Sequence, residues 1–460
     1  MNHDGFLDID SSEGGLIRRL REMDPILGAY LERLIEDRWP QMWLGDQITE
    51  VAERGRHHSK KLMEIAESLL SVLDRGEKGC ASLFMDEPLP LALLISSIYL
   101  HDIGYTALVY PIDPDEAKDA GAFPFSMFPS AVSEVHHLLS SELISHNGKR
   151  LFPLPEDVGL ELDSDAGETL MEAVAILKGV LPDICASHRK YVQLDRTVDF
   201  EKKKAVWQVG KLLMGKERFK DTLTPLDDRL DSCGRLFEKD GHLGLTKKKV
   251  LTIAALLRVL DGCDLQSEGA FDEGRLRQWF QRTSYEIESL EIQLDMFDRD
   301  LKELMVNLEG KPISVYDCVK AICDDVEDFS FERVSTKRVG RICKALYPFV
   351  FKTLRRLKGK KGFDCLFKPD SLPSVQALSL VDRLVFKWEG FLAFHMSGFV
   401  EGVSFVSGEG DSCDIGVRVD FKKDVPVEGE LISFAEGLTE EIDRTGGYLR
   451  DLGLSVISES

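Results

Sequence analysis

LLISSIYLHDIG, residues 93–104, joins a run of apolar side chains to a histidine and an aspartate. Leu94, Ile95 and Ile98 mark the inner face of a helix. His101 and Asp102 lie three and four residues past Ile98, so both turn to that face. A buried imidazole beside a buried carboxylate is costly unless something compensates, and a divalent cation compensates both. Alone, the dipeptide reads equally as a His–Asp pair satisfying itself at a helix end. The apolar run at 89–100 falls short of the roughly 20 residues that a bilayer crossing needs, so it reads as a buried helix.

Working outward, further imidazoles and acids recur on apolar stripes. In RHHSKKLMEIAESLL, His58 shares a face with Leu62, Ile65 and Leu69, whereas His57 aligns with Lys61 and Glu64. In HHLLSSELI, His136 lies with Val132, Leu139 and Leu143. His137 aligns with the weaker stripe of Ser133, Ser141 and Ile144, which makes His136 the preferred candidate and His137 the alternate. His188 follows Ile184 by four residues, and Asp261 follows Leu257 by four, with Asp264 one turn further on. Each residue by itself is most simply a satisfied core or surface group. Jointly they offer imidazole and carboxylate from five helices, a donor mixture suited to manganese, iron, nickel or zinc.

Composition narrows the setting. The 460 residues carry 58 Lys+Arg against 80 Asp+Glu, a formal net charge of -22, which disfavours attraction of nucleic acid or anionic membrane by overall charge. A phosphate-bearing substrate would have to be drawn in locally. Nine cysteines, with no C-x-x-C pair, fit a reducing compartment rather than a disulfide framework. The acidic start MNHDGFLDIDSSEGG lacks the features of a signal peptide, so a cytoplasmic location is expected.

The patterning predicts a mainly α chain with a small C-terminal α+β element. Expected divisions are a helical N-terminal extension (1–50), a core (51–268) with a charged insertion at about 189–245, a mostly helical extension (269–380), and a small sheet with a closing helix (381–460). Residues 108–130 carry four prolines and read as a loop able to cover a site at His101-Asp102. Residues 275–307 leave helix and strand both open. Ile415, Val417, Val419 and Phe421 alternate as in a strand, with 400–406 as partner. Leu431, Phe434, Leu438, Ile442 and Leu449 then follow one helical face.

The order H, HD, H, H, D, in the contexts HS-x-x-L, YLHDIG, H-x-x-x-S-x-x-L-I and LLRxxDxxD, resembles the HD superfamily of metal-dependent phosphohydrolases. It is most similar to the HD-CE branch associated with bacterial conflict systems. The resemblance covers about residues 50–268 and implies an HD-type helical core. It implies His58, His101, Asp102 and Asp261 as ligands of a divalent ion, which for such enzymes extends to magnesium. His136, with His137 as alternate, and His188 would serve a second ion or the phosphate. Tyr105 stands where cyclic-dinucleotide phosphodiesterases of the HD-GYP branch have Lys, and the HDIGH of deoxynucleotide triphosphohydrolases is absent.

The expected activity is hydrolysis of a nucleotide or nucleic-acid phosphoester by metal-activated water, with Asp102 at the centre and Arg54 or Arg56 neutralising phosphoryl charge. The rival expectation is a non-catalytic metal- or nucleotide-binding module that signals to a partner. The resemblance implies a heat-shock-type chaperone ATPase as that partner. Arg355, Arg356 and Lys358, in the basic run FKTLRRLKGKKGF, are candidate substrate contacts, although so short a run also reads as solvated surface.

Overall fold

The structure, a computed structural model, describes residues 15–42, 56–74, 87–108, 127–196, 204–213, 219, 223–232, 245–264, 273–327, 336–361, 372–397, 400–407, 415–421, 445, 447–450 and 453–456. In chain order its first helices are α1 (Gly15–Met23), α2 (Pro25–Arg33), α3 (Trp39–Met42), α4 (Arg56–Asp74), α5 (Pro88–Leu100), α6 (Pro129–Leu151) and α7 (Ser164–Ser187). Next come α8 (Lys204–Leu213), α9 (Leu226–Ser232), α10 (Lys247–Cys263), α11 (Glu273–Asp295) and α12 (Asp298–Glu303). A hairpin of β1 (Met305–Leu308) and β2 (Lys311–Ser314) precedes α13 (Val315–Glu327), α14 (Thr336–Lys361) and α15 (Leu372–Ser397). Strands β3 (Val400–Ser407) and β4 (Ile415–Phe421), the helical turn α16 (Gly447–Arg450) and strand β5 (Leu454–Val456) follow. The fold is mainly α, as the sequence implies.

Helix starts follow local chemistry. Asp24 accepts hydrogen bonds from the Ile26 and Leu27 amides ahead of Pro25. Asp163 accepts from Ala166, and Thr246 accepts from Lys249. Each thereby satisfies an amide that the first helical turn leaves unpaired. Helix α5 opens on Pro88, whose fixed φ suits a first turn, and is apolar around its whole circumference. A helix of that kind must be enclosed, and α1, α2, α4, α7 and α10 pack around it.

Two apolar cores result. One gathers α1 to α5, α7, α10 and the C-terminal sheet; the other gathers α8 and α11 to α15. Helix α6 belongs to both. Ala131, Val132, Val135, Leu138 and Leu139 enter the second core, while Leu143, Ile144 and Leu151 enter the first. The N-terminal helices are tied to the end of α6 by Tyr30 Oη donating to the Pro153 carbonyl at 2.7 Å and Trp39 Nε1 donating to Leu151 at 2.9 Å. Within the charged stretch after residue 189, Leu226 and Leu230 join the first core and Val206, Val209 and Phe219 the second.

The C-terminal strands form as alternation predicts. β3 and β4 pair antiparallel, and β5 adds in parallel to β4. Phe405, Ile415 and Val417 turn into the first core, where β3 lies on α4 and α16 on α10. The expected closing helix falls mostly outside the described residues, and Leu449 lies buried in α16. The ambiguous stretch before residue 305 is helical, with Leu290, Leu294 and Leu301 buried on the inner face and Ile292 and Met296 exposed. The β1–β2 turn needs positive φ at Glu309 (51°) and Gly310 (85°), the pattern of a tight hairpin turn. No helix among the described residues is long and apolar enough to cross a membrane.

Candidate metal centre

His101 caps the C-terminal end of α5, and Asp102 follows it in the tight turn that leads to a 3-10 segment, Ile103–Leu108. Gly104 lets this turn lie on α6. Its amide donates to Ser140 Oγ at 2.8 Å, and a Cβ there would stand 2.6 Å from the Ser140 nitrogen and closer still to the His136 carbonyl oxygen. Tyr105 stacks on the His136 ring at 4.7 Å between centroids and 15° between planes. The HDIG turn and the first half of α6 are thus held in register.

The three imidazoles at positions 101, 136 and 188 are oriented by one local device. His101 Nδ1 donates to the Ile98 carbonyl at 2.9 Å, His136 Nδ1 to Ser133 at 2.6 Å and His188 Nδ1 to Cys185 at 2.7 Å. In each case the acceptor lies three residues back. With the proton on Nδ1, each ring turns an Nε2 lone pair into the centre. His58 is oriented from afar: its Nδ1 lies 2.5 Å from Asp264 Oδ2, a carboxylate 206 residues away in sequence.

The ring nitrogens meet in two pairs. His58 Nε2 lies 3.1 Å from His101 Nε2, and His136 Nε2 lies 3.0 Å from His188 Nε2. Asp102 stands between the pairs. Its Oδ2 is 3.8 Å from His58 Nε2 and 3.6 Å from His101 Nε2, while its Oδ1 is 3.1 Å from His136 Nε2 and 3.6 Å from His188 Nε2. Asp261 Oδ1 joins the first pair, 3.4 Å from His58 and 3.8 Å from His101. His58, His101, Asp102, His136 and His188 are all buried. Among the described residues, imidazole nitrogens are the groups that approach the two Asp102 oxygens most closely, His136 Nε2 nearest of them.

Two ring nitrogens about 3 Å apart need a proton or a cation between them, and a buried carboxylate is costly unless its charge is compensated. The groups His58–His101–Asp261 and His101–Asp102–His188 each present ligand atoms within 4.8 Å of one another. The donor set therefore fits one or two divalent ions, with Asp102 turning one oxygen toward each pair. Asp264 acts on the far side of His58, the position from which a carboxylate orients a metal-binding imidazole and raises its basicity.

Electrostatics agree with a cation-binding role. Burial works to lower the His58 pKa, but hydrogen bonds with Asp261 and Asp264 outweigh it and raise it to about 10. Burial opposes ionisation of Asp102, yet the neighbouring His101 and His136 hold its carboxyl well below the usual range. Asp261 is likewise held low against burial, by hydrogen bonds with His101 and His58. His188 is pushed down by burial and then by His101 and His136, so it stays neutral, the form that binds metals.

Among the other sequence candidates, His137 is buried beside His136 and His188, with ring centroids 5.7 and 6.0 Å away. Among the described residues its two nitrogens have no hydrogen-bond partner, and it belongs to neither cluster of ligand atoms. Arg54 lies outside the described residues, as do the side chains of Arg56 and Lys358. Arg355 is half-buried and Arg356 exposed on α14.

The motif reading passed over three groups: the donor-orienting role of Asp264, the buried Arg258 and the partly exposed Arg189. Arg258 Nε donates to the Ser187 carbonyl at 2.6 Å, and its Nη2 donates to Val192, which pins both sides of the His188 turn. Its place in LLRxxDxxD, three residues before Asp261, was the available signal.

A mainly helical core that brings these histidines and aspartates to one buried point has the arrangement of an HD-type domain. The model of the HD-CE family matches residues 46–215, and that part of the chain is similar to an HD-CE domain. The matched span holds His58, His101, Asp102, His136 and His188; Asp261 on α10 and Asp264 at its C-cap reach the cluster from beyond it. No curated protein and no solved structure matches the chain.

Proposed function

We propose that this chain is a metal-dependent phosphohydrolase or phosphodiesterase, acting on a nucleotide or nucleic-acid phosphoester. The observation that carries the reading is the pair of Nε2–Nε2 approaches at 3.1 and 3.0 Å with one oxygen of Asp102 directed to each. His58, His101, Asp261 and Asp102 Oδ2 would hold one ion, and His136, His188 and Asp102 Oδ1 a second. Such ions supply Lewis-acid polarisation of a phosphoryl oxygen and a coordinated water whose pKa falls toward about 7.

The protein's part is positional. Three backbone carbonyls and Asp264 aim the imidazoles before any ligand arrives, so little reorganisation is needed during reaction. Asp102 joins the two halves of the centre through one buried carboxylate.

Metal content and phosphoesterase turnover of wild type and Asp102→Ala test the proposal across a panel of nucleotides and oligonucleotides. The expected outcome is loss of both metal and turnover in the variant. Equal occupancy and equal turnover in the two proteins would remove the mechanism. Full occupancy in wild type with no turnover on any phosphoester would favour a signalling module.

A further inference from the structure

Arg189 follows His188 directly. Its side chain is 30% exposed, whereas the side chains of His58, His101, Asp102, His136 and His188 are at most 6% exposed. It therefore stands where the buried cluster meets solvent. Its Nη1 lies 3.7 Å from Asp261 Oδ2, an ion pair longer than a hydrogen bond, while the other oxygen of Asp261 faces His58 and His101. Its guanidinium carbon lies 5.9 Å from the centroid of the Tyr191 ring, which supports the cation from one side.

The turn that carries Arg189 is rigidly placed. The Val192 amide donates back to the Arg189 carbonyl at 3.1 Å, and Arg258 binds the carbonyls of Ser187 and Val192 on either side. A buried arginine spent on two backbone carbonyls fixes the direction of what projects between them. One of those projections, His188, goes into the cluster; the other, Arg189, goes to its mouth.

We propose that Arg189 is a substrate-binding residue that takes a phosphoryl oxygen at the metal centre; the inference rests on the phosphohydrolase reading and narrows it. Asp102, Asp261 and Asp264 bring three negative charges against two divalent ions, leaving one net positive charge. Arg189 adds a second and matches a phosphate anion in both charge and planar donor geometry. The loose 3.7 Å pairing with Asp261 leaves the guanidinium able to turn a donor edge to an incoming oxygen.

The test uses the full chain loaded with manganese and inorganic phosphate as probe. Phosphate affinity is measured by calorimetric titration, and metal content is measured in parallel, for wild type, Arg189→Ala and Arg189→Lys. Arg189→Ala is expected to keep its metal and to bind phosphate about ten- to hundredfold more weakly, the scale of one charge-assisted hydrogen bond, with Arg189→Lys in between. Unchanged phosphate affinity in Arg189→Ala would overturn the inference while leaving the metal centre standing. A drop in metal content would overturn it too, since Arg189 would then serve to hold Asp261 in place. Wild type that binds no manganese, or binds it but not phosphate, would bring down the phosphohydrolase reading itself.

Discussion

Gly104→Ala perturbs the centre without altering any proposed ligand. The added Cβ would stand 2.6 Å from the Ser140 nitrogen, 2.8 Å from Ser140 Oγ, and inside contact distance of the His136 carbonyl oxygen. All three atoms belong to α6, and two of them are backbone, so no flexible side chain can simply swing aside. The HDIG turn and α6 must part by about 1 Å, which overpacking of this kind costs roughly 1–3 kcal/mol to accommodate. The displacement parts the turn that carries Asp102 from the helix that carries His136, so the 3.1 Å approach of Asp102 Oδ1 to His136 Nε2 is expected to lengthen. A misplacement of about 1 Å in such a site costs on the order of a hundredfold in rate. The expected outcome is a lowered melting temperature, loss of metal from the His136–His188 half before the His58–His101 half, and about a hundredfold fall in phosphoesterase turnover. Metal content by atomic spectroscopy, thermal unfolding and turnover on one phosphoester would be read on the same preparation. A variant with wild-type stability, metal stoichiometry and turnover would refute the argument that Gly104 sets the spacing of the two halves.

Two further outcomes are expected beside those for Asp102 and Arg189. Asp264→Asn removes the carboxylate 2.5 Å from His58 Nδ1 and should weaken metal binding about ten- to hundredfold, read by competition with a chelating dye; an unchanged affinity would mean that His58 needs no such partner. In the second core, burial pushes the Asp382 carboxyl up to about 7, although Ser130 donates to it from both its amide and its hydroxyl. A carboxyl raised in the folded state stabilises the fold below its unfolded pKa of about 4 and loses that contribution as pH rises through about 7, at up to roughly 1.4 kcal/mol per unit. Asp382→Asn should therefore flatten the decline in unfolding free energy between pH 5.5 and 7, and parallel curves for the two proteins would disprove it.

Much of the fold is legible because burial imposes a period on the chain. The unbroken apolar run at 89–100 predicts a helix enclosed on all sides, and α5 is that helix. Alternation at 415–421 predicts β4. Residues 275–307 leave helix and strand both open because Ile292 and Met296 are apolar but exposed, which blurs the helical stripe of Leu290, Leu294 and Leu301. The choice between His136 and His137 shows the limit of stripe arguments. Both imidazoles are buried, since the first half of α6 is enclosed, and the two differ in what their nitrogens face rather than in burial.

Periodicity along a chain states which way a side chain faces, so inward-turned histidines and aspartates on separate helices could be read from residue order alone. It carries no information about which of them meet. The pairing of His58 with His101 and of His136 with His188, the division of Asp102 between them, the reach of Asp264 across 206 residues to His58, and the station of Arg189 at the mouth arise only when the helices pack. Direction is set by a few covalent turns; distance is set by the cores that press those turns together.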